Sequence, residues 1–525
     1  MPTRIAFRII CKGIVVLALL LLSASGLLAQ ENFPLDRDAM LPYDKLLNIP
    51  SVSVHSAIKP LLNTDLAGIN DSSITYKHFR AAQHNQSDGF KVELLPFNNT
   101  VSGGYDLKNH NTPSDLCGSV NLRVLWSDKV AVVFNALGGY SVFPSYVDST
   151  VRASRVVPGT GIAYKNGNAY TYQDYTGYIS YSPNKVFNVQ LGKDKNFFGD
   201  GYRSMFLSDN ASPYPFLKLR AHVGRFEYVN LYTMMADDRS VSGLQKDIKQ
   251  RYTAMQYLSW NMTKRINVCF FETIVWQGTD TNRVRGFDIN YMNPVLFLRP
   301  TEYSLGSPDN ALVGTSFKFK LPGKIQLYGQ ALFDEFVLHE LLVHKGWWGN
   351  KFSIQAGMKA FDLFGINNLY MLGEVNYVRP YTYTHGSVQQ NYSGLNQPLA
   401  DPFGANFEEA VGILNYRYKR MIFELKGVVA FTGLDTAGSN WGQNIFLPYD
   451  SRTGGDYNHR MGDGLKTVIG TAGFRTSCLI IPSWNLKAEL GFTYQTRKSS
   501  GRTAQDAALI TFGIKTALYN TYRDY

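Results

Sequence analysis

Cysteine and charge are both scarce in this sequence. Four cysteines among 525 residues cannot form the disulfide framework of a small secreted scaffold. Charged residues make up 18% of the chain against 45% hydrophobic residues, a balance that excludes an intrinsically disordered protein. Beyond residue 30, no apolar run approaches the roughly 18 to 20 residues that a membrane-spanning helix needs, so a helical membrane protein is excluded as well.

Aromatic residues and glycine are abundant instead. The chain has 33 Tyr, 32 Phe, 7 Trp and 46 Gly, which indicates many strands and turns rather than long helices. The formal net charge is +11. In an exported protein, such a mild basic excess favours anionic glycans or lipid headgroups as partners over nucleic acid.

The first thirty residues have the order of a secretory signal peptide. Three basic residues precede the apolar run Gly13–Leu22, and small residues follow at 23–26. The alternative is a single membrane anchor, but the run is too short for a spanning helix. We therefore expect residues 1–30 to be removed by cleavage near Ala29 or Gln30.

Residues 31–115 alternate weakly and are interrupted by proline. The prolines of this stretch are Pro34, Pro42, Pro50, Pro60, Pro96 and Pro113. Proline at this frequency prevents long helices and central strands. We predict a short, loop-rich periplasmic segment that lies at or in the mouth of the following domain.

From residue 116 to residue 525, apolar and polar residues alternate with a period of two. In the stretch 187–193, for example, Phe187, Val189 and Leu191 share one face and polar residues share the other. Short turns such as Gly224-Arg225 join these strands. Charged residues on the polar faces suit a barrel with a wet interior and a lipid-facing belt.

The aromatic residues decide between such a barrel and a soluble β-sandwich, which alternates in the same way. Tyrosines stand at expected strand ends, where an interfacial girdle needs them: Tyr377, Tyr381, Tyr383, Tyr519 and Tyr522. Trp347 and Trp348 fit the same girdle better than a sugar-stacking site. The alternating stretch 510–515, followed by the aromatic Tyr525, resembles the terminal signal of outer-membrane barrels. We predict an all-β transmembrane barrel over 116–525, located in the cell outer membrane and in contact with its lipid.

No catalytic or cofactor motif has the required spacing. His339 and His344 are five apart, whereas a zinc-protease helix needs them four apart. The stretch 199–204 begins like a nucleotide-binding loop but lacks the third glycine and the following helix. Neighbouring acidic residues would need partners from distant segments to act as a glycosidase pair. The remaining cysteines lack metal-ligand spacing: Cys117, Cys269 and Cys478. We expect no enzymatic activity, cofactor or metal.

Several unusual strings occur in order between about residues 190 and 407. They cover positions 191–204, 207–211, 213–215, 293–300, 307–312, 347–352, 379–385, 396–400 and 404–407. Together they resemble the Wzi-like capsule-assembly family, most closely its Bacteroidetes branch, which includes the gliding-motility protein RemB. The resemblance implies an outer-membrane β-barrel of about eighteen antiparallel strands that acts as a lectin for exported polysaccharide. The proline-broken leading segment departs from the helical bundle that closes the periplasmic end in that family.

Two functions follow as hypotheses. The first is a non-enzymatic barrel that binds or organises surface polysaccharide, in capsule assembly or in adhesion during gliding, with envelope or motility machinery as a further partner. The second is a porin or transport channel, since a polar-lined barrel conducts small solutes unless it is plugged. The candidate polysaccharide-binding residues lie on one turn, which serves equally well as a brace between two strands: Asp200, Tyr202, Arg203, Asp209 and Asn210.

Overall fold

The described part of the chain forms a closed antiparallel barrel with several segments folded into its interior. A computed structural model describes residues 31–67, 69, 90–96, 99–127, 129–237, 248–280, 283–294 and 309–525. The expected signal peptide, residues 1–30, lies outside the described residues. Within the described ranges, no helix has the length and apolar composition needed to cross a membrane.

The described residues contain eighteen barrel strands, when the two segments Phe90–Pro96 and Thr100–Asp106 are counted as one interrupted strand. We number them in chain order as β1 (those two segments), β2 (Ser114–Trp126), β3 (Val130–Val142), β4 (Ala169–Tyr181), β5 (Phe187–Asp194), β6 (Tyr214–Val223), β7 (Phe226–Asp237), β8 (Lys249–Asn261), β9 (Ile266–Gln277), β10 (Asn310–Leu321), β11 (Ile325–Glu335), β12 (Lys351–Phe361), β13 (Leu369–Val378), β14 (Phe407–Tyr418), β15 (Met421–Leu434), β16 (Leu465–Ile481), β17 (Leu486–Ser499) and β18 (Gln505–Thr516). Each strand pairs with the next, and β18 closes the barrel by pairing with β1.

Shorter elements lie between the barrel strands and ahead of them. Four α-helices are described: α1 (Arg37–Leu47), α2 (Asn63–Ala67), α3 (Ser145–Ser154) and α4 (Leu338–Leu342). Single turns of 3-10 helix occupy Ile289–Met292, Pro322–Lys324, Leu363–Gly365, Val388–Gln390, Tyr449–Ser451 and Pro482–Trp484. Tyr164–Asn166 pairs with β4, and three two-residue pairs join Ile58–Lys59 to Phe197–Phe198, Thr279–Asp280 to Arg283–Val284 and Ser393–Gly394 to Gln397–Pro398.

The barrel sheet begins before residue 116, where the sequence analysis starts the barrel. Thr100–Asp106 pairs with both β18 and β2, and Phe90–Pro96 pairs with the second half of β2. The two segments therefore contribute the first strand, although residues 31–115 as a whole alternate weakly. The exposed apolar side chains stand at even positions in the first segment, as at Phe90 and Val92, and at odd positions in the second, as at Val101 and Tyr105, so no single alternation runs through both.

The predicted alternation is confirmed along the strands. On β5, the Gln190 side chain is fully buried in the lumen, whereas Leu191 is 55% exposed on the outer wall. On β18, Ile510, Phe512 and Ile514 are exposed in the same outward direction. An outer belt of such apolar side chains suits the hydrocarbon core of a bilayer, while polar side chains line the inside of the barrel.

The two ends of the barrel have different connections. At one end the connections are short, as at 182–186, 224–225, 262–265, 322–324, 419–420 and 482–485. At the other end they are long, as at 143–168, 195–213, 336–350, 379–406 and 435–464. In outer-membrane barrels the short turns face the periplasm and the long loops face the exterior.

Three segments fill the lumen, and we name them by their residues. The plug is residues 31–67, the inturned loop is 195–213 and the tail is 517–525. The plug carries α1, which includes Pro42 and is capped at its C-terminus by Asn48. Ile58–Lys59 of the plug pairs with Phe197–Phe198 of the inturned loop. The leading segment is therefore partly helical and lies inside the barrel at its short-turn end.

Four of the five tyrosines assigned to a membrane girdle lie elsewhere. Tyr381 and Tyr383 are buried among the loops, and Tyr519 and Tyr522 lie in the lumen. The Tyr522 side chain is 3% exposed, and its hydroxyl donates to Asp209 Oδ1 at 2.6 Å. The Tyr519 hydroxyl bonds to the Asp194 carboxylate. Tyr525 packs beside Phe403, away from the end of β18. The girdle prediction is wrong at these positions because a phenol ring suits a polar lumen as well as a membrane interface.

Candidate functional site

The predicted binding turn lies inside the barrel, within the inturned loop. All five candidate side chains are buried: Asp200, Tyr202, Arg203, Asp209 and Asn210. The Asp200 carboxylate accepts a hydrogen bond from Ser56 Oγ at 3.0 Å and lies 3.3 Å from Lys318 Nζ. The structure thus brings the turn against the plug and the barrel wall.

Two glycines allow the turn to approach the wall. Gly199 has φ +150°, and a Cβ atom at Gly201 would lie 2.4 Å from the Glu374 carboxylate. The approach lets the backbone N–H groups of Tyr202 and Arg203 donate to Glu374 at 2.7 and 3.0 Å. The glycines in this string therefore serve a close backbone contact.

Arg203 is the centre of a buried cluster of charges. Its guanidinium donates to Glu409 Oε1 at 2.8 Å and to Asp524 Oδ1 at 3.1 Å, with the Asp401 carboxylate at 3.7 Å. Burial acts to lower the pKa of Arg203, but the carboxylates of Asp524 and Glu409 outweigh it and hold that pKa well above its ordinary value. Lys426 Nζ bonds to Asp524 at 2.7 Å from the opposite side. These groups neutralise one another within the protein.

Asp209 and Asn210 lie further along the inturned loop, and the Tyr522 hydroxyl connects Asp209 to the Tyr202 carbonyl. Asp209 accepts the hydroxyl of Tyr522, as described above, and the Asn210 amide donates to the Pro398 carbonyl at 2.9 Å. The five predicted residues therefore do not converge on one accessible point. They connect the inturned loop to the tail, the plug and the loop 379–406.

A cavity of about 530 Å³ remains beside the tail. Its charged wall comes from strands β16 to β18 and includes Arg475, Lys487, Glu489 and Lys515. Its opposite wall comes from the plug and the tail. The cavity is an internal space next to the lumen-filling segments.

The long loops carry a group of aromatic side chains that we call the outer aromatic cluster. Its members are Trp347, Trp348, Tyr381, Trp441, Tyr449 and His459. The centroids of the Trp348 and Tyr449 rings are 4.9 Å apart, and the Arg452 guanidinium lies 4.6 Å from the centre of the Trp348 ring. Indole, phenol and guanidinium groups of this kind combine apolar faces with hydrogen-bond donors.

Hydrogen bonds between loops hold this cluster in place. The backbone N–H of Trp348 donates to the Asp456 carbonyl at 3.0 Å, and the Tyr381 hydroxyl donates to the Asn440 carbonyl at 2.9 Å. Arg379 donates to the Trp347 carbonyl at 3.2 Å. The loops 336–350, 379–406 and 435–464 therefore form one preorganised surface at the long-loop end.

The sequence analysis singled out three members of this cluster as girdle residues, Tyr381 and the pair Trp347-Trp348. The assignment of the pair to a membrane girdle is wrong, because both residues precede β12 in a loop and Trp348 contacts residues of the loop 435–464. That loop joins β15 to β16, which are not neighbours of β12 in the barrel. Trp348 therefore faces the mouth of the barrel.

No protein-family model and no curated protein matches this chain. Among solved structures, it is similar to Wzi of Escherichia coli, described as an outer-membrane protein involved in group 1 capsule assembly and a carbohydrate-binding β-barrel. The TM-score is 0.56 at 13% identity, over 94% of this chain and 100% of that one.

Two further solved structures match with lower TM-scores. OccAB2 of Acinetobacter baumannii has a TM-score of 0.42 at 10% identity, over 82% of this chain and 98% of that one. OprD of Pseudomonas aeruginosa has a TM-score of 0.43 at 7% identity, over 82% and 96%. The likeness to Wzi supports the fold predicted from the sequence, an 18-stranded outer-membrane β-barrel. Together with the apolar outer belt, that fold indicates the outer membrane.

Proposed function

We propose that this protein binds or organises surface polysaccharide at its long-loop end, without enzymatic activity. The observation that carries the proposal is the outer aromatic cluster, which bonds between three loops hold at the long-loop end. Four of its side chains are half-buried there: Trp347, Trp348, Trp441 and Tyr449. Aromatic faces stack on sugar rings, and Arg452 supplies planar hydrogen-bond donors for hydroxyl or carboxylate groups. Wzi, the solved structure with the same fold, is described as carbohydrate binding.

Substitution of the cluster tests this proposal. We expect Trp348→Ala with Tyr449→Ala to weaken binding to the organism's purified surface polysaccharide by about 10-fold, which corresponds to about 1.4 kcal/mol of lost stacking. Isothermal titration with detergent-solubilised protein measures the change. The matched control is Trp484→Ala, which removes an exposed tryptophan from the short-turn end and should leave binding unchanged. Equal binding by the double variant and the wild type would contradict the assignment.

We assign the turn that carries Asp200 and Arg203 a supporting part in this function. Its polar groups are bonded to the wall, the plug and the tail, so it braces the barrel beneath the loops. The variant with both Asp200→Ala and Arg203→Ala should lose barrel stability first, and any glycan defect should follow the fall in folded protein. A well-folded double variant that fails to bind polysaccharide would instead support direct contact.

The biological use of the bound polysaccharide is a finer part of the proposal. The resemblance to the Wzi-like family favours capsule assembly, and the likeness to its Bacteroidetes branch favours adhesion during gliding, with envelope or motility machinery as a partner. A deletion strain scored for both capsule retention and surface spreading separates these uses. Loss of capsule alone supports the first, and loss of spreading alone supports the second.

A further inference from the structure

Three potential metal ligands meet at the short-turn end of the barrel. They are His55, His222 and Glu227, and one ligand atom of each lies within 4.8 Å of the other two. His222 Nδ1 and Glu227 Oε2 are only 3.4 Å apart. Two ligands of one tetrahedral zinc ion stand at about that separation, since each lies about 2.0 to 2.2 Å from the metal.

The three residues come from two parts of the protein. His55 belongs to the plug, whereas His222 and Glu227 lie on β6 and β7, on either side of the turn Gly224-Arg225. The centroids of the two imidazole rings are 5.5 Å apart. An ion bound here would link the plug directly to the barrel wall.

The surroundings of His55 suit a ligand. Its Nδ1 lies 2.7 Å from Ser259 Oγ, and a proton on Nδ1 leaves the lone pair of Nε2 free to coordinate. The Asn261 amide, 3.2 Å from Nε2, now donates to that lone pair and also donates to the Ser53 carbonyl at 2.7 Å. If the Asn261 amide donated to the Ser53 carbonyl alone, His55 Nε2 would be free to coordinate an ion.

The charges at this site leave room for a cation. Arg220 bonds to Glu227 at 2.7 and 3.0 Å and to both oxygens of Asp65 at 2.8 and 2.9 Å. One guanidinium is therefore shared by two carboxylates, so this group of three carries a net negative charge. The His222 side chain is 41% exposed, which lets it move toward the other ligands from the solvent side.

We propose that His55, His222 and Glu227 bind one Zn²⁺ ion, with water as the fourth ligand, and that this ion fastens the plug to the barrel. Two imidazoles and one carboxylate with an open position are a donor set that zinc accepts. The sequence analysis expected no metal, because neither the cysteines nor the pair His339 and His344 have ligand spacing. His55 and His222 are distant in the sequence, and no motif connects them. The plug brings them together only in the folded barrel.

Zinc binding to the full-length detergent-solubilised protein tests this proposal. After chelator treatment and dialysis, we expect the wild type to take up one equivalent of Zn²⁺ at micromolar concentrations, measured by elemental analysis and titration calorimetry. His55→Ala and His222→Ala should each weaken zinc binding by at least about 10- to 100-fold. Substitution of a residue that only hydrogen-bonds to a metal ligand already causes a loss of that size. His110→Ala removes an exposed histidine of another loop and should change nothing.

A second measurement separates coordination from folding. Zn²⁺ should raise the temperature of barrel unfolding in the wild type and leave it unchanged in His222→Gln, whose exposed side chain keeps a polar group without the coordinating nitrogen. Co²⁺ should give the intense visible absorption of a tetrahedral site in the wild type only. Absence of a 1:1 zinc complex in the folded wild type, or equal zinc affinity in the histidine variants, would overturn the proposal. Neither outcome depends on polysaccharide binding.

Discussion

Arg203 joins the inturned loop to the barrel wall and to the tail through ion pairs and hydrogen bonds. Its side chain is fully buried, and its partners come from β14, from the tail and from the loop 379–406. A guanidinium is suited to this position because its planar donors reach two carboxylates at once. Its removal would leave Glu409 and Asp401 buried without their cation, while Asp524 would keep Lys426 alone.

Arg203→Ala should therefore destabilise the barrel strongly. Loss of one partner from a buried ion pair costs about 3 to 5 kcal/mol, because the remaining charge stays buried and uncompensated. Urea unfolding in detergent micelles, followed by the loss of heat-resistant migration on gels, measures the change. Lys165→Ala removes an exposed cation from Tyr164–Asn166 and should shift stability by no more than about 0.5 kcal/mol. Equal stability of both variants would show that Arg203 is not a structural centre.

The helix α1 is held in the lumen by its first turn. Asp36 caps the helix by accepting the Ala39 N–H at 2.9 Å, and Asp38 reaches the wall. The Asp38 carboxylate lies 2.7 Å from Arg475 and 2.6 Å from Lys487. Burial acts to raise the pKa of Asp38, but these cations outweigh it and hold that pKa well below its ordinary value.

The attachment of α1 should consequently depend on pH with a definite sign. A lowered folded-state pKa stabilises the fold fully above the unfolded-state pKa of about 3.9, and the contribution is lost as pH falls from there through the folded-state pKa. We expect the contribution of Asp38 to stability to be constant between pH 7 and pH 5 and to fall below about pH 4. Asp38→Asn should cost about 3 kcal/mol at pH 7 and flatten the decline. Unfolding of both proteins measured across this pH range tests the prediction. If Asp38→Asn lost stability below pH 4 as steeply as the wild type, Asp38 would not be the group that attaches α1.

The strand β18 offers a direct test of which face meets lipid. Ile510 points outward and is 42% exposed, whereas Thr511 lines the internal cavity. Ile510→Arg should destabilise the inserted barrel by about 2 to 4 kcal/mol, the cost of arginine near mid-bilayer. Thr511→Arg enters a polar space and should cost less. Comparable losses of folded barrel in lipid vesicles would contradict the alternation.

Local patterns predicted the strands of this protein, but they did not predict what fills the lumen. The alternation at 187–193 needs only neighbouring residues, so a single sequence reveals it. The partners of Arg203 lie 206 and 321 positions away, at Glu409 and Asp524, and no spacing rule connects them. Tyr522 was misassigned for the same reason, because its role depends on the distant Asp209.

At the scale of the whole molecule, the filled lumen favours a closed barrel over the channel that a polar interior would otherwise provide. In planar bilayers, we expect the wild type to show almost no conductance. A variant lacking residues 31–67 should conduct, because the plug occupies the short-turn end. Heat-resistant migration of this variant on gels would show that its barrel is intact. Steady, wide-pore conductance of the wild type would support the porin alternative.

The joining of the plug to the tail constrains the order in which this protein is assembled. The Arg37 N–H donates to Asn520 at 3.0 Å, so the bond spans 483 positions of the chain. It cannot form until the last strand has been delivered, and contacts between such distant residues are slow to form. The barrel wall can therefore close around an interior that is not yet sealed. We expect a barrel in that interval to let solutes through until the tail bonds to the plug.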